Sequence, residues 1–115
     1  MTAATLTEID RILAATEEAD DALRDVVSTL VARAGCLWAG ILFSEAGDLM
    51  LGPEAGASAP EVRTHVPVVF QGSPVAELVV DGCDDTTFLT AVADRLSAHC
   101  LVGWDTGGIP WDPDA

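Results

Sequence analysis

Lysine, asparagine and tyrosine are absent from this chain of 115 residues, and basic side chains of any kind are scarce. Arg11, Arg24, Arg33, Arg63 and Arg95 are scattered among 19 Asp and Glu, for a formal charge of −14. Such a surface repels phosphate backbones and offers no basic patch, which excludes nucleic acid as an expected partner. Anionic membrane surfaces are disfavoured on the same ground. No apolar run approaches the ~20 residues that span a bilayer. Residues 1–5 contain no basic segment leading into an apolar one, so no secretory leader is expected and the expected location is cytoplasmic. Cys36, Cys83 and Cys100 are odd in number and irregularly spaced. That pattern fits reduced thiols and not a disulfide framework. The missing Lys and Asn carry no functional content of their own.

Chemical motifs are also missing. There is no C-x-x-C, H-x-x-x-H or EF-hand pattern, so neither a metal site nor a cofactor is expected. The Gly-rich stretch 103–108 follows a helical pattern and lacks a P-loop lysine. G-x-S-x-G is absent.

What is present is apolar. Half of the residues are hydrophobic and the mean hydropathy is +0.35. A disordered acidic tail lacks these residues; this chain has enough for one packed core and a single domain. Thr5 and Glu8 read as a capping box opening a helix over 5–15. Leu23, Val26, Val27, Leu30, Val31 and Ala34 form one continuous helical stripe, with Asp20 and Asp21 at its positive end and Gly35 to close it. Whether these are two helices or one bent helix stays open. Residues 37–43 are apolar at both parities, as in a central strand buried on both faces. Residues 49–51 read as a short partner strand ended by Gly52-Pro53, and 54–59 as a loop. Residues 62–70 and 75–80 read as a hairpin, with Pro67 placing its strand at an edge. Phe88, Leu89, Val92, Ala93, Leu96 and Cys100 line a last helix capped by Asp84 or Asp85. Three hairpin-type connections imply an antiparallel sheet, and helices at both ends can cover one face of it.

At this point the chain resembles a small GAF domain. Val66-Pro67-Val68-Val69-Phe70-Gln71-Gly72-Ser73-Pro74-Val75-Ala76-Glu77-Leu78-Val79-Val80 is similar to that family's late hairpin. Asp84-Asp85 with Phe88-Leu89 and Ala93 resembles the entry to its closing helix. Trp38 to Phe43, then Leu49 to Leu51 and Gly52-Pro53, resemble its first hairpin. The resemblance covers residues 5–102. It implies an α+β, GAF-like antiparallel sheet of about four strands with N-terminal and C-terminal helices packed on one face. Residues 1–103 are then the domain and 104–115 a Trp/Gly/Pro-rich tail. The chain departs from the family in its short middle section, residues 54–61, and in having Ala76 or Glu77 where the family has Gly. The shortened section leaves room for a small pocket at most.

The resemblance implies a non-catalytic sensory or interaction module that binds a small ligand or a protein partner, as a homodimer built by the N-terminal helices. The ligand would lie on the sheet face free of helices, lined by Trp38, His65 and Phe70. Trp104 and Trp111 are the candidates for partner binding, since Trp is favoured at interface centres. One GAF-like branch, the free methionine-R-sulfoxide reductases, uses an attacking and a resolving cysteine, which makes a cysteine-dependent reductase the alternative. Its attacking thiol lies in the section shortened here, and no Cys falls between Gly52 and Gly82, so no catalytic position carries over. The three thiols are expected to be inert, as buried free cysteines usually are. A dimeric scaffold of the roadblock type is a further alternative, although its helix between the second and third strands is missing.

Overall fold

The computed structural model describes residues 2–16, 18–45 and 48–101. Element order is α1 (Thr2–Ala15), α2 (Ala19–Arg33), β1 (Trp38–Glu45), β2 (Asp48–Gly56), a 3₁₀ turn (Pro60–Val62), β3 (Arg63–Phe70), β4 (Ser73–Asp81) and α3 (Thr86–Leu101). The strands form one antiparallel sheet in the order β2-β1-β4-β3. α2 lies over β1 and β2, α3 over β3 and β4, and α1 packs on both helices. This is the expected α+β arrangement with the helices on one face.

Alternation along the strands sorts the core into two faces. Ala39, Ile41 and Phe43 of β1, Ala76, Leu78 and Val80 of β4, and Val66 and Val68 of β3 point to the helices. They meet Leu23, Val26, Val27 and Leu30 of α2 and Phe88, Leu89, Val92 and Leu96 of α3. Trp38, Leu42 and Val79 form a smaller cluster on the opposite face. β1 is therefore buried on both sides and central, as its doubly apolar pattern requires. Asp85 Oδ1 accepts the Phe88 N–H at 3.1 Å, which caps α3 as expected.

Three boundaries and one connection depart most from expectation. α1 starts at Thr2, because Ala3 and Ala4 are strong helix formers and nothing stops the helix before them. Thr5 thus sits inside the helix, and Glu8 pairs forward with Arg11 rather than back to a cap. β2 runs on through Gly52-Pro53 to Gly56, by a register shift opposite Ile41. An edge strand tolerates a proline at such a shift, and a Cβ at Gly52 would lie 2.5 Å from the Phe43 ring. Val62 belongs to the 3₁₀ turn and not to β3. Finally, only two of the three strand connections are hairpins. Residues 57–62 carry the chain from edge strand β2 to edge strand β3, across the end of the sheet.

Candidate functional site

That crossover determines what happens on the face without helices. Register places Gly56, Trp38, Asp81 and Arg63 in one row across all four strands. The next row is Glu54, Gly40, Val79 and His65. Gly40 supplies the floor for the Trp38 ring, since a Cβ there would lie 2.5 Å from the indole. The indole N–H donates to Glu54 Oε1 at 3.2 Å. Arg63 Cζ sits over the same ring, 5.0 Å from its centroid and within cation–π range.

Arg63 and Asp81 form a buried pair, their side chains 7% and 0% exposed. Arg63 donates from Nε to Oδ1 at 2.8 Å and from Nη2 to Oδ2 at 3.0 Å, the bidentate geometry of a strong charge-assisted contact. The crossover closes over them. The Ala59 N–H donates to Asp81 Oδ2 at 2.6 Å, and Arg63 Nη2 to Ser58 Oγ at 2.9 Å. Burial alone would raise the Asp81 pKa, but the hydrogen bonds from Arg63 and Ala59 outweigh it and hold the carboxyl below its ordinary value. The Asp81 hydrogen bond raises Arg63 in turn. Both Asp81 oxygens are committed to donors, so the carboxylate is a structural acceptor and not a free base.

The three residues expected to line a ligand here are separated. Trp38 is on this face but only 3% exposed, sealed between Gly40 and Arg63. His65 is on it and exposed, hydrogen-bonded through Nδ1 to Glu77 Oε1. Phe70 shares the strand parity of Val66 and Val68, which face the helices, and lies at the far end of the β3–β4 hairpin. Trp104 and Trp111 lie outside the described residues. Arg63, Asp81 and Glu54 were missed as a group. Each is a charged residue at or near a strand end, and only the register brings them together.

At the same end of the sheet, an open cleft of about 370 Å³ is lined by Val62, Arg63, Thr64, Gly82, Cys83 and Asp84. Leu37 packs over Gly82 and is 54% exposed; Val62, whose carbonyl accepts the Gly82 N–H, is 47% exposed. Cys36 and Cys100 are buried in the helix-side core, and Cys83 packs partly against it. Among the described residues no three His, Cys, Asp or Glu converge on a metal-sized site. No helix among them is long and apolar enough to cross a membrane.

No protein-family model matches the chain, and no curated protein matches it. Solved structures do. It is similar to the GAF domain of a phosphoenolpyruvate-protein phosphotransferase from Coxiella burnetii, with TM-score 0.75 and 14% identity over 85% of this chain and 91% of that one. The corresponding Acinetobacter domain gives TM-score 0.71 and 13% identity over 85% and 91%. A free methionine-R-sulfoxide reductase from Neisseria meningitidis, solved with its substrate, gives TM-score 0.71 and 16% identity over 85% and 88%. The protein has a GAF-like fold. At these identities the likeness establishes the fold and no activity.

Proposed function

We propose that this protein is a non-catalytic GAF-fold interaction module that acts by docking a protein partner, and not by holding a small molecule above its sheet. The observation that carries the reading is the closed Trp38 end of the helix-free face. Trp38, Arg63, Asp81 and the crossover fill the space where the resemblance led us to expect a ligand. The docking surface is the end of the sheet where Leu37 and Val62 are exposed around Gly82. A charge of −14 selects a partner with a basic rim around an apolar anchor.

A second copy is one partner to test, although not through the helix stripe. Leu23, Val26, Val27 and Leu30 of α2 are fully buried within one chain and are not available to pair two copies. The likeness to reductases is one of fold alone.

Native mass spectrometry on freshly purified protein tests the reading. The expected spectrum shows no added mass after buffer exchange, and Leu37→Asp lowers any dimer fraction. A stoichiometric small molecule that survives exchange would overturn the proposal. So would turnover of free methionine-R-sulfoxide that disappears in a triple Cys→Ser variant.

A further inference from the structure

The two cysteines at the cleft end of the sheet are partners. Cys36 lies two residues before β1 and Cys83 two residues after β4, just beyond the Trp38–Asp81 pairing that ends their shared ladder. Leu37 N–H donates to the Asp81 carbonyl at 2.8 Å and Leu37 packs over Gly82, so the register carries Cys36 and Cys83 toward each other, both against the helix-side core. Their exposures differ sharply. Cys36 is 3% exposed within the core, whereas Cys83 is part-exposed and lines the open cleft. Both sit in irregular connections, and Gly82 next to Cys83 has φ +84. Those connections can supply the movement that brings the two sulfurs to the roughly 2.05 Å of an S–S bond.

We propose that Cys36 and Cys83 are a reversible redox site, in which an uncharged hydroperoxide entering the cleft oxidises Cys83 and Cys36 then closes an intramolecular disulfide. In the first step the Cys83 sulfur attacks one peroxide oxygen and the O–O bond breaks. The other oxygen leaves as water or alcohol with the thiol proton, and Cys83 becomes a sulfenic acid. In the second step the Cys36 sulfur attacks the Cys83 sulfur, the S–O bond breaks, and the hydroxyl leaves with the Cys36 proton as water. A dithiol reverses the change. Burial and the neighbouring Cys83 push Cys36 up to about 12, so it keeps its proton and the part-exposed Cys83 meets the peroxide first. The charge of −14 disfavours anionic oxidants such as glutathione disulfide and admits a neutral peroxide. Cys100, on α3 and buried in the core, is not in the cleft lining and takes no part. The disulfide ties the α2–β1 junction to the β4–α3 junction, enclosing residues 37–82. A loop of that length raises the melting temperature by about 10 °C.

The test treats the whole protein with hydrogen peroxide and maps its peptides without reduction. A Cys36–Cys83 cross-linked peptide is expected, with Cys100 still open to alkylation and a rise in melting temperature that dithiothreitol reverses. In Cys36→Ser, a Cys83 sulfenic acid trapped by dimedone should replace the cross-link. Cys100→Ser should still form it. Oxidation of Cys83 to sulfinic acid without a cross-link in the wild type, or a Cys83–Cys83 link between copies, overturns the proposal. The wild-type map decides even if Cys36→Ser fails to fold. Adduct-free native spectra and this map are separate readouts, so failure of the docking reading leaves the disulfide standing, and the reverse.

Discussion

Both faces of the sheet bury side chains, one along its length and the other around Trp38, and the physics differs between them. The helix-side face is covered by apolar side chains whose spacing follows the periods of strand and helix: Ile41, Leu78 and Val68 below, Val26, Leu89 and Leu96 above. Its stability comes from many interchangeable dispersion contacts and from area removed from water. The opposite face is covered by one indole, one ion pair and a six-residue crossover. Burial there depends on every polar group keeping its partner, and the cost of losing one is concentrated in that place. At the Trp38 end of the helix-free face, two strand-end charges and a tryptophan supply the cover.

The sharpest way to break this contrast is Asp81→Ala. It strands a guanidinium that is 7% exposed and should cost about 4 kcal/mol, in the range for breaking a buried pair from one side. Urea denaturation measures it. The double variant Arg63→Met with Asp81→Leu should return to near the wild-type value, since apolar replacement of both partners is often neutral. If Asp81→Ala costs under about 1 kcal/mol, water reaches the pair and the face is not closed. Leu78→Ala, fully buried on the helix side, should cost about 3 kcal/mol. Its nearest apolar neighbours can relax into the space, so no second substitution is expected to rescue it as completely.

Acid and alkali separate the faces without mutation. Asp81 is held below its ordinary value, so its stabilisation is complete above the unfolded carboxyl pKa of about 3.9 and is lost as pH falls through the folded value. Through Asp81 the helix-free face contributes to the acid limb, beside Glu8 of α1, which Arg11 also holds low. Burial pushes Cys100, and burial with Cys83 pushes Cys36, to about 12. The unfolded chain gives up these protons from about pH 8.5, so stability falls between there and pH 12. The alkaline limb reports the helix side. Cys100→Val should flatten that limb and leave the acid limb in place, as followed by circular dichroism. An acid limb unchanged in the Arg63→Met, Asp81→Leu variant would remove Asp81 as one of its sources.

The same contrast explains what could be read from the residues. The stripe at Leu23, Val26, Val27 and Leu30, the doubly apolar 37–43 and the Asp85 cap are local patterns, and the structure keeps them. β2 was truncated because Gly52-Pro53 looks like a terminator, whereas the register shift absorbs both residues. The third connection looked like a hairpin because sequence spacing does not say which edge a strand joins. Arg63 and Asp81 are 18 residues apart and meet only once β3 pairs with β4 in one register. Nothing in composition or periodicity announces a contact of that kind, and so the face it closes was read as open.

The smallest expected effect is the most diagnostic for the boundary between the two regimes. His65 and Glu77 are also an ion-pair candidate on the helix-free face, one row from the buried pair, but their side chains are 45% and 27% exposed. Water screens them, and both side chains lose rotamer freedom to meet. His65→Ala should therefore change stability by no more than about 0.5 kcal/mol, measured by urea denaturation at pH 7. The bidentate Arg63–Asp81 pair one row nearer the crossover is worth several times more because Ser58 and Ala59 also bond to it and it is buried. If His65→Ala costs as much as Asp81→Ala, exposure does not separate the two pairs, and the closed region extends along β3 to include His65. If it costs nothing, the seal ends at the first row, and the crossover is the part of the chain that turns a strand-end charge pair into a core.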